Sequence, residues 1–300
     1  MNEPFEHLAQ ECREDAHLGA EERVHAILTE RWINYPRAAF ALQRLEHLLQ
    51  HPPRDRMPSL LLFGATGMGK TKILRKFMRD HPTSFNARTG INGVPIVAMQ
   101  MPPDPDEKAF YLQLLNALNA PSRYGHTVYQ LRQIVRDLLE FTHTRMIIID
   151  EVHTLLASTY RQQRVLLNTL RFLANELRLS LVCAGTADAK RALLTDQQLA
   201  DRFESVELAP WRNDMDFKRL LASFQVLLPL QKPSELSALG VRQEILRRTE
   251  GITVRIVRLL EHLAIDAVHS GVEAITLERF SLLDSQAPLL SMETHASMHD

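Results

Sequence analysis

The sequence predicts an α/β protein: a mainly parallel sheet with helices on both faces, followed by a small all-helical domain. Three observations predict it. Short apolar runs alternate with segments of helical period from about residue 59 to 208. One of those runs passes directly into a glycine-rich loop that opens a helix. Beyond Pro210 the alternation stops, and residues 214–285 read as almost wholly helical.

The elements follow in order. Residues 1–20 are polar and charged and read as an extension of uncertain order. From Pro36 to Gln50, Ala39, Leu42, Leu45 and Leu49 recur at helical spacing. Pro36 suits a first helical position because it has no N–H to leave unpaired. His51–Pro58 is a break rich in proline and charge. Ser59–Gly64 reads as a buried strand, and Lys70–Asp80 as a helix. Val94–Met101 is a second strand, closed by Pro102-Pro103. Helices follow at about 106–119 and 127–142. Met146–Ile149 is a third strand. Residues 161–178 form a helix with Leu166, Leu170, Leu173 and Leu177 on one face. Ser180–Gly185 is a fourth strand and Ser205–Leu208 a short fifth. The domains expected are an N-terminal extension (1–30), a nucleotide-binding domain (31–211), a helical lid (212–285) and a loose tail (286–300).

Composition narrows the class. At 300 residues, with 45% apolar and 24% charged side chains, a core can form without disulfide staples. The two cysteines, Cys12 and Cys183, fit a reducing compartment, and the expected location is cytoplasmic. No signal-peptide pattern and no apolar run of membrane-spanning length occurs, so no membrane partner is expected. A net charge of −1 speaks against a strong basic footprint for nucleic acid, although a local basic stripe repeated across an oligomer is compatible with it.

The glycine loop carries the chemistry. Gly64-Ala65-Thr66-Gly67-Met68-Gly69-Lys70-Thr71 matches G-x-x-x-x-G-K-[ST]. Glycines let the backbone curl so that its N–H groups converge on phosphate oxygens. The following helix presents its positive end to the same charge. Lys70 supplies a cation for the β- and γ-phosphates, and Thr71 a hydroxyl for Mg²⁺. The alternative is a plain glycine turn before a basic helix, which the preceding apolar strand disfavours. The second half of the site is Asp150-Glu151, at the end of Met146–Ile149. A parallel strand delivers its last residue to the ligand edge of the sheet. Asp150 is expected at Mg²⁺, and Glu151 as the base for the attacking water. The alternative is that both acids cap the next segment. The reading is therefore a Mg-ATP site with ATP and Mg²⁺ as cofactors. His153 reads as structural. The i,i+4 pair His295 and His299 reads as accidental, because no cysteine or carboxylate set accompanies it.

With these residues in place, the chain resembles the AAA+ ATPases, and within them the TniB family of transposition proteins; TnsC and MuB look like more distant relatives. The resemblance spans roughly residues 30–285. It rests on the phosphate loop together with Arg31-Trp32-Ile33-Asn34-Tyr35-Pro36, Arg56-Met57-Pro58, Ile149-Asp150-Glu151-Val152-His153, Gln162-Gln163-Arg164, Cys183-Ala184-Gly185-Thr186 and Asp196–Phe203. Pro210-Trp211, Leu228-Pro229-Leu230 and Pro233-Ser234 add to it.

The resemblance implies further roles. Thr186 would be the polar sensor that positions the water; the alternative is a strand-terminal threonine bonding its own backbone. Arg202 matches the arginine that reaches a neighbouring subunit's γ-phosphate; the alternative is a surface arginine paired with Asp201 or Glu204. Arg255, or Arg258 one turn on, would be the second sensor in the lid. Ile33 and Tyr35 would pack on the adenine or, alternatively, staple the next helix.

For the biological role, the resemblance implies an ATPase that oligomerises on double-stranded DNA without sequence preference, as a ring or filament. It would recruit a DDE-type transposase, with a TniQ-like targeting protein as a further partner. Lys108, Arg123, Arg132 and Arg136 are the candidate DNA contacts. A different class competes: a loader or remodelling ATPase acting on a protein such as a replicative helicase, for which Phe110-Tyr111 and Tyr124 are the candidate threading aromatics. A third reading is a scaffold that binds ATP and barely turns it over.

Overall fold

The structure, a computed structural model, describes residues 5–86, 91–121 and 125–285. Arg123, Tyr124 and the tail with His295 and His299 lie outside the described residues. The chain divides into two units: residues 36–209, and residues 1–35 together with 210–300.

The first unit is organised by its strands. In chain order these are β1 (Ser59–Gly64), β2 (Ser84–Asn86), β3 (Ile91–Gly93), β4 (Ile96–Gln100), β5 (Met146–Asp150), β6 (Ser180–Gly185) and β7 (Phe203–Leu208). Five of them form one sheet in the order β4-β5-β6-β1-β7, and every pairing in it is parallel. Parallel strands covered on both faces need apolar residues on both faces. That is why Leu60, Leu61, Leu62 and Met146–Ile149 run without alternation, all at most 2% exposed. The register aligns the strand ends: Gln100 pairs with Asp150, and Phe63 with Gly185. The ends of β1, β5 and β6 thus share one edge, with β6 between the other two.

Helices Pro36–Gln50, Lys70–Asp80, Glu107–Ala117, Val128–Phe141 and Tyr160–Glu176 connect and cover the sheet. Their starts are chemically marked. The Asp106 carboxylate accepts the Ala109 N–H at 2.7 Å. Thr159 and Gln162 exchange bonds in a capping box, with Gln162 Oε1 accepting the Thr159 N–H at 3.0 Å. Gln163 Nε2 donates to the Ser158 carbonyl at 2.9 Å. The Gln162-Gln163 part of the family signature is therefore a helix-start device. Cys183 is fully buried, and burial pushes its thiol up to about 12.

The structure departs from the sequence reading in three places. The β2–β3 hairpin lies between the predicted helix and the second strand. Its strands are three residues each, too short for a period-2 pattern to register. Phe110 and Tyr111 are fully buried in the core over β4 and β5. Their rings point inward on the Glu107–Ala117 helix, so neither can thread a polypeptide.

The third difference concerns the described residues before Pro36. Gln10–Arg13 and Ala20–Leu28, read as part of an extension of uncertain order, are helices that fold with the C-terminal helices Met215–Leu227, Leu239–Thr249, Thr253–His269 and Leu277–Ser285. Residues 31–35, expected with the nucleotide-binding domain, belong to this helical unit as well. The reason is in their contacts. Arg31 donates to the Leu227 carbonyl at 3.2 Å and pairs with Asp15 at 2.7 Å. The Tyr35 ring meets Trp211 edge-on at 5.3 Å. Trp211 Nε1 donates to Thr253 Oγ1 at 3.0 Å. The Trp211 N–H donates to the Gly251 carbonyl at 2.9 Å. Gly251 has φ +70°, and a Cβ there would lie 2.3 Å from the Trp211 oxygen, so glycine is required.

A buried ion pair fastens the N-terminal helix. Arg23 and Glu273, 6% and 7% exposed, bond in a fork at 2.6 and 2.8 Å. Arg23→Ala leaves a buried carboxylate without its partner and should cost about 3–5 kcal/mol in urea unfolding. Burial pushes the Glu273 carboxyl up, but the Arg23 hydrogen bonds and the Gln231 N–H outweigh it, and the group titrates below the ordinary glutamate range. This stabilisation is full above the ordinary glutamate pKa and is lost as pH falls through the depressed folded value. Glu273→Gln should flatten the acid limb of the stability profile. No described helix is long and apolar enough to cross a membrane.

Candidate active site

β1 ends at Gly64 and the chain turns through Gly67 (φ 79°) and Gly69 (φ 93°) into the Lys70–Asp80 helix. Both glycines occupy left-handed backbone that side chains disfavour, and the loop curls because of them. Lys70, 6% exposed, donates to the Gly64 and Ala65 carbonyls at 2.8 and 2.9 Å. Burial pulls its ammonium below the ordinary lysine range, while the charges of Glu151 and Asp150 act in the opposite direction. Met68 is buried under the loop, and Ala65 and Thr66 are exposed on it.

The end of β5 meets this loop. Thr71 Oγ1 donates to Asp150 Oδ2 at 2.6 Å, across 79 residues of sequence. The other Asp150 oxygen accepts the Glu151 N–H at 2.9 Å. Glu151 sits in the left-handed region, with φ 57° and ψ 34°. A non-glycine residue there is strained, and such strain concentrates at functional positions. The Glu151 side chain makes no capping bond to the Val152–Ala157 turn. Its carboxylate lies 3.3 Å from His153 Nε2. His153, expected to be structural, is thus the neighbour of the expected base, and it packs against the end of β6 at Gly185. The sequence signal for this was only its place two residues after Glu151.

Thr186 directly follows β6, between the loop strand and the acidic strand. Its hydroxyl is buried and has no hydrogen-bond partner. The local backbone bond that would have made it an ordinary strand-terminal threonine is not formed. A buried hydroxyl without a partner is costly, and one beside a ligand pocket is accounted for by a ligand group or ordered water. A hydroxyl and a carboxylate in contact are also the hard oxygen donors that Mg²⁺ takes together with phosphate oxygens. The residues therefore fit Mg-nucleotide. Among the described residues no set of three His, Cys, Asp or Glu is placed to hold a metal by protein ligands alone.

Arg202 lies at the other edge of the sheet. Its carbonyl accepts the Ser59 N–H at 2.9 Å, at the start of β1. The six residues of β1 put roughly 17 Å between that point and the phosphate loop. Its proposed surface partners are engaged elsewhere: Asp201 with Gln197 at 2.6 Å, and Glu204 with Arg44. Arg202 donates instead to the neutral Asn175 Oδ1 at 2.6 Å. Its titration is depressed by burial and then by the charges of Arg56 and Arg171, with Asp196 opposing.

Ile33, Tyr35, Arg255 and Arg258 belong to the helical unit. Arg255 pairs with Glu250 at 2.7 Å, and Arg258 is exposed on the same helix. Of the basic residues considered for DNA, Lys108 is exposed. Arg132 bonds Glu107 at 2.7 Å, and Arg136 bonds Asp137 at 2.7 Å.

The family profile described as "Bacterial TniB protein" matches residues 23–213. The chain belongs to the TniB family. This TniB-family chain is also similar in fold to solved structures. Against the ORC2 protein of Aeropyrum pernix, in its ADPNP-ADP complexes, the TM-score is 0.61 at 15% identity, covering 91% of this chain and 74% of that one. Against the Aeropyrum pernix ORC1 protein in complex with DNA it is 0.60 at 17% identity, covering 88% and 69%. Domain III of the Thermotoga maritima replication initiation protein DnaA gives 0.52 at 16%, covering 84% and 92%. No curated protein matches the chain. At these identities the likeness shows the fold, and this TniB-family chain has the P-loop α/β fold of AAA+ ATPases.

Proposed function

We propose that this TniB-family chain hydrolyses ATP to ADP and phosphate as a slow switch, assembles on duplex DNA without sequence preference while ATP is bound, and in that state recruits a DDE-type transposase. The observation that carries the nucleotide half is the Thr71–Asp150 contact beside Lys70, next to the partnerless hydroxyl of Thr186. Family membership supports the transposition half.

In this reading the loop amides and Lys70 hold the phosphates. Thr71 and Asp150 would hold Mg²⁺, which neutralises charge on the phosphate oxygens when bound. Glu151 takes a proton from the attacking water, and Thr186 orients that water. The separation between Arg202 and the loop of its own chain favours action on a second copy. Such a head-to-tail contact generates rings if it closes and filaments if it does not. DNA contacts that are weak singly then add by avidity, which reconciles DNA binding with a net charge of −1. A TniQ-like targeting protein remains part of this proposal as a further partner. So does the assignment of Arg255 as second sensor and of Ile33 and Tyr35 to the adenine. The remodelling alternative loses two of its candidate threading residues, Phe110 and Tyr111, to the core.

Lys70→Ala tests the site. Charge-assisted bonds to phosphate are worth about 1.5–3 kcal/mol, so nucleotide affinity should fall on the order of 100-fold. Titration with a fluorescent ATP analogue reads it. Unchanged affinity would remove the phosphate-loop assignment.

A further inference from the structure

At the sheet edge opposite the phosphate loop there is a cavity of about 1360 Å³. Six arginines line it, with the carboxylates of Asp55, Glu140 and Glu176; Arg178 pairs with Asp55 at 3.3 Å and Arg136 with Asp137 at 2.7 Å. Three of the arginines matter most. Arg202 is held by a neutral amide and keeps a buried Nε without a partner. Arg171 is fixed by Gln198 at 2.7 Å and Asn168 at 2.6 Å, with Asp196 at 3.4 Å. Arg56 is exposed, and no carboxylate among the described residues pairs with it. A fold gains nothing from gathering guanidinium groups unless an anion joins them. Fixed guanidinium forks suit phosphate oxygens in particular.

From the cavity and the guanidinium groups of Arg56 and Arg202, neither of which has a carboxylate partner among the described residues, we propose that Arg56 acts beside Arg202 as a second trans-acting phosphate contact, in a receptor for the nucleotide bound to another copy of this chain. This rests on the ATPase reading above and adds to it a residue with no role so far. The occupant is argued from charge and placement. The loop edge of one copy presents Asp150, Glu151 and a triphosphate. The arginine edge of the next presents three cations, and the two edges are opposite ends of the same strands, so head-to-tail stacking brings them together. Arg171 is itself held in place by the amides of Gln198 and Asn168. Arg56, exposed at this edge, meets the phosphates only as copies come together, so its contact forms only in the assembled state.

The test compares full-length Arg56→Ala, Arg56→Lys and Arg202→Ala, with ATP hydrolysis and analogue binding measured with and without random-sequence duplex. Thermal melting controls for folding; the Arg56 side chain is exposed, and its removal should not move the melting point. Arg56→Ala should bind the analogue as wild type does and lose about 100-fold in turnover. Arg56→Lys should recover little, because an ammonium lacks the planar fork. Mixing Arg56→Ala with Lys70→Ala should restore turnover, since the second copy offers an intact arginine edge. Mixing it with a Lys70→Ala/Arg56→Ala double variant should not. Turnover within twofold of wild type for Arg56→Ala, while Arg202→Ala is inactive, would overturn the role of Arg56 and leave the trans reading standing. Full turnover in both would overturn that reading too. Loss of duplex binding with normal DNA-free turnover would assign the cavity to nucleic acid and overturn the proposal.

Discussion

Arg202→Ala should bind ATP with near wild-type affinity and turn it over about 10³-fold more slowly or worse. The expectation rests on distance and on partners. With roughly 17 Å of strand between Arg202 and its own phosphate loop, its removal cannot disturb binding in cis. The guanidinium is held by Asn175 rather than by a carboxylate, so its charge is not spent inside the fold. A cation that reaches phosphate only in the assembly stabilises charge that grows in the transition state. Single-turnover hydrolysis alongside analogue binding separates the two quantities. Surviving hydrolysis would return Arg202 to the surface.

Glu151→Gln should bind ATP and lose about 10²- to 10⁴-fold in turnover. The amide keeps the shape of the side chain and removes its capacity to take a proton. The strained backbone at Glu151 holds the carboxylate beyond the strand end, beside Asp150 and His153. Because release follows hydrolysis in this account, the variant should remain assembled long after wild type has dissociated. Light scattering after an ATP chase reads the assembly, and phosphate release reads the chemistry. Normal turnover would remove Glu151 as the base.

Much of this architecture was legible in the sequence, for identifiable reasons. Parallel strands buried on both faces write themselves as unbroken apolar runs, and Met146–Ile149 and Leu60–Phe63 did so. The phosphate loop is a local motif, whose spacing needs no tertiary information. The β2–β3 hairpin was not legible, since three-residue strands carry no period. Nor was the fate of the N-terminal residues, because the Arg23–Glu273 pair spans 250 residues of sequence and each member reads as an ordinary surface charge until the fold joins them. The arginine cavity was hidden for the same reason. Arg56, Arg171 and Arg202 come from three separate segments, and only the pairing of β1 with β7 and the placing of the Tyr160–Glu176 helix bring them to one edge. Arg56-Met57-Pro58 stood out as a family signature, but nothing local said what Arg56 would face.

In the proposed switch, ATP controls assembly on DNA. Fluorescence anisotropy of a random-sequence duplex, with ATP, with ADP and without nucleotide across a salt series, tests it most directly. Binding should be cooperative with ATP and weaken as salt rises, and be far weaker with ADP or no nucleotide. Binding that is absent, or the same in all three nucleotide states, would contradict it and point to an ATPase acting on a protein partner.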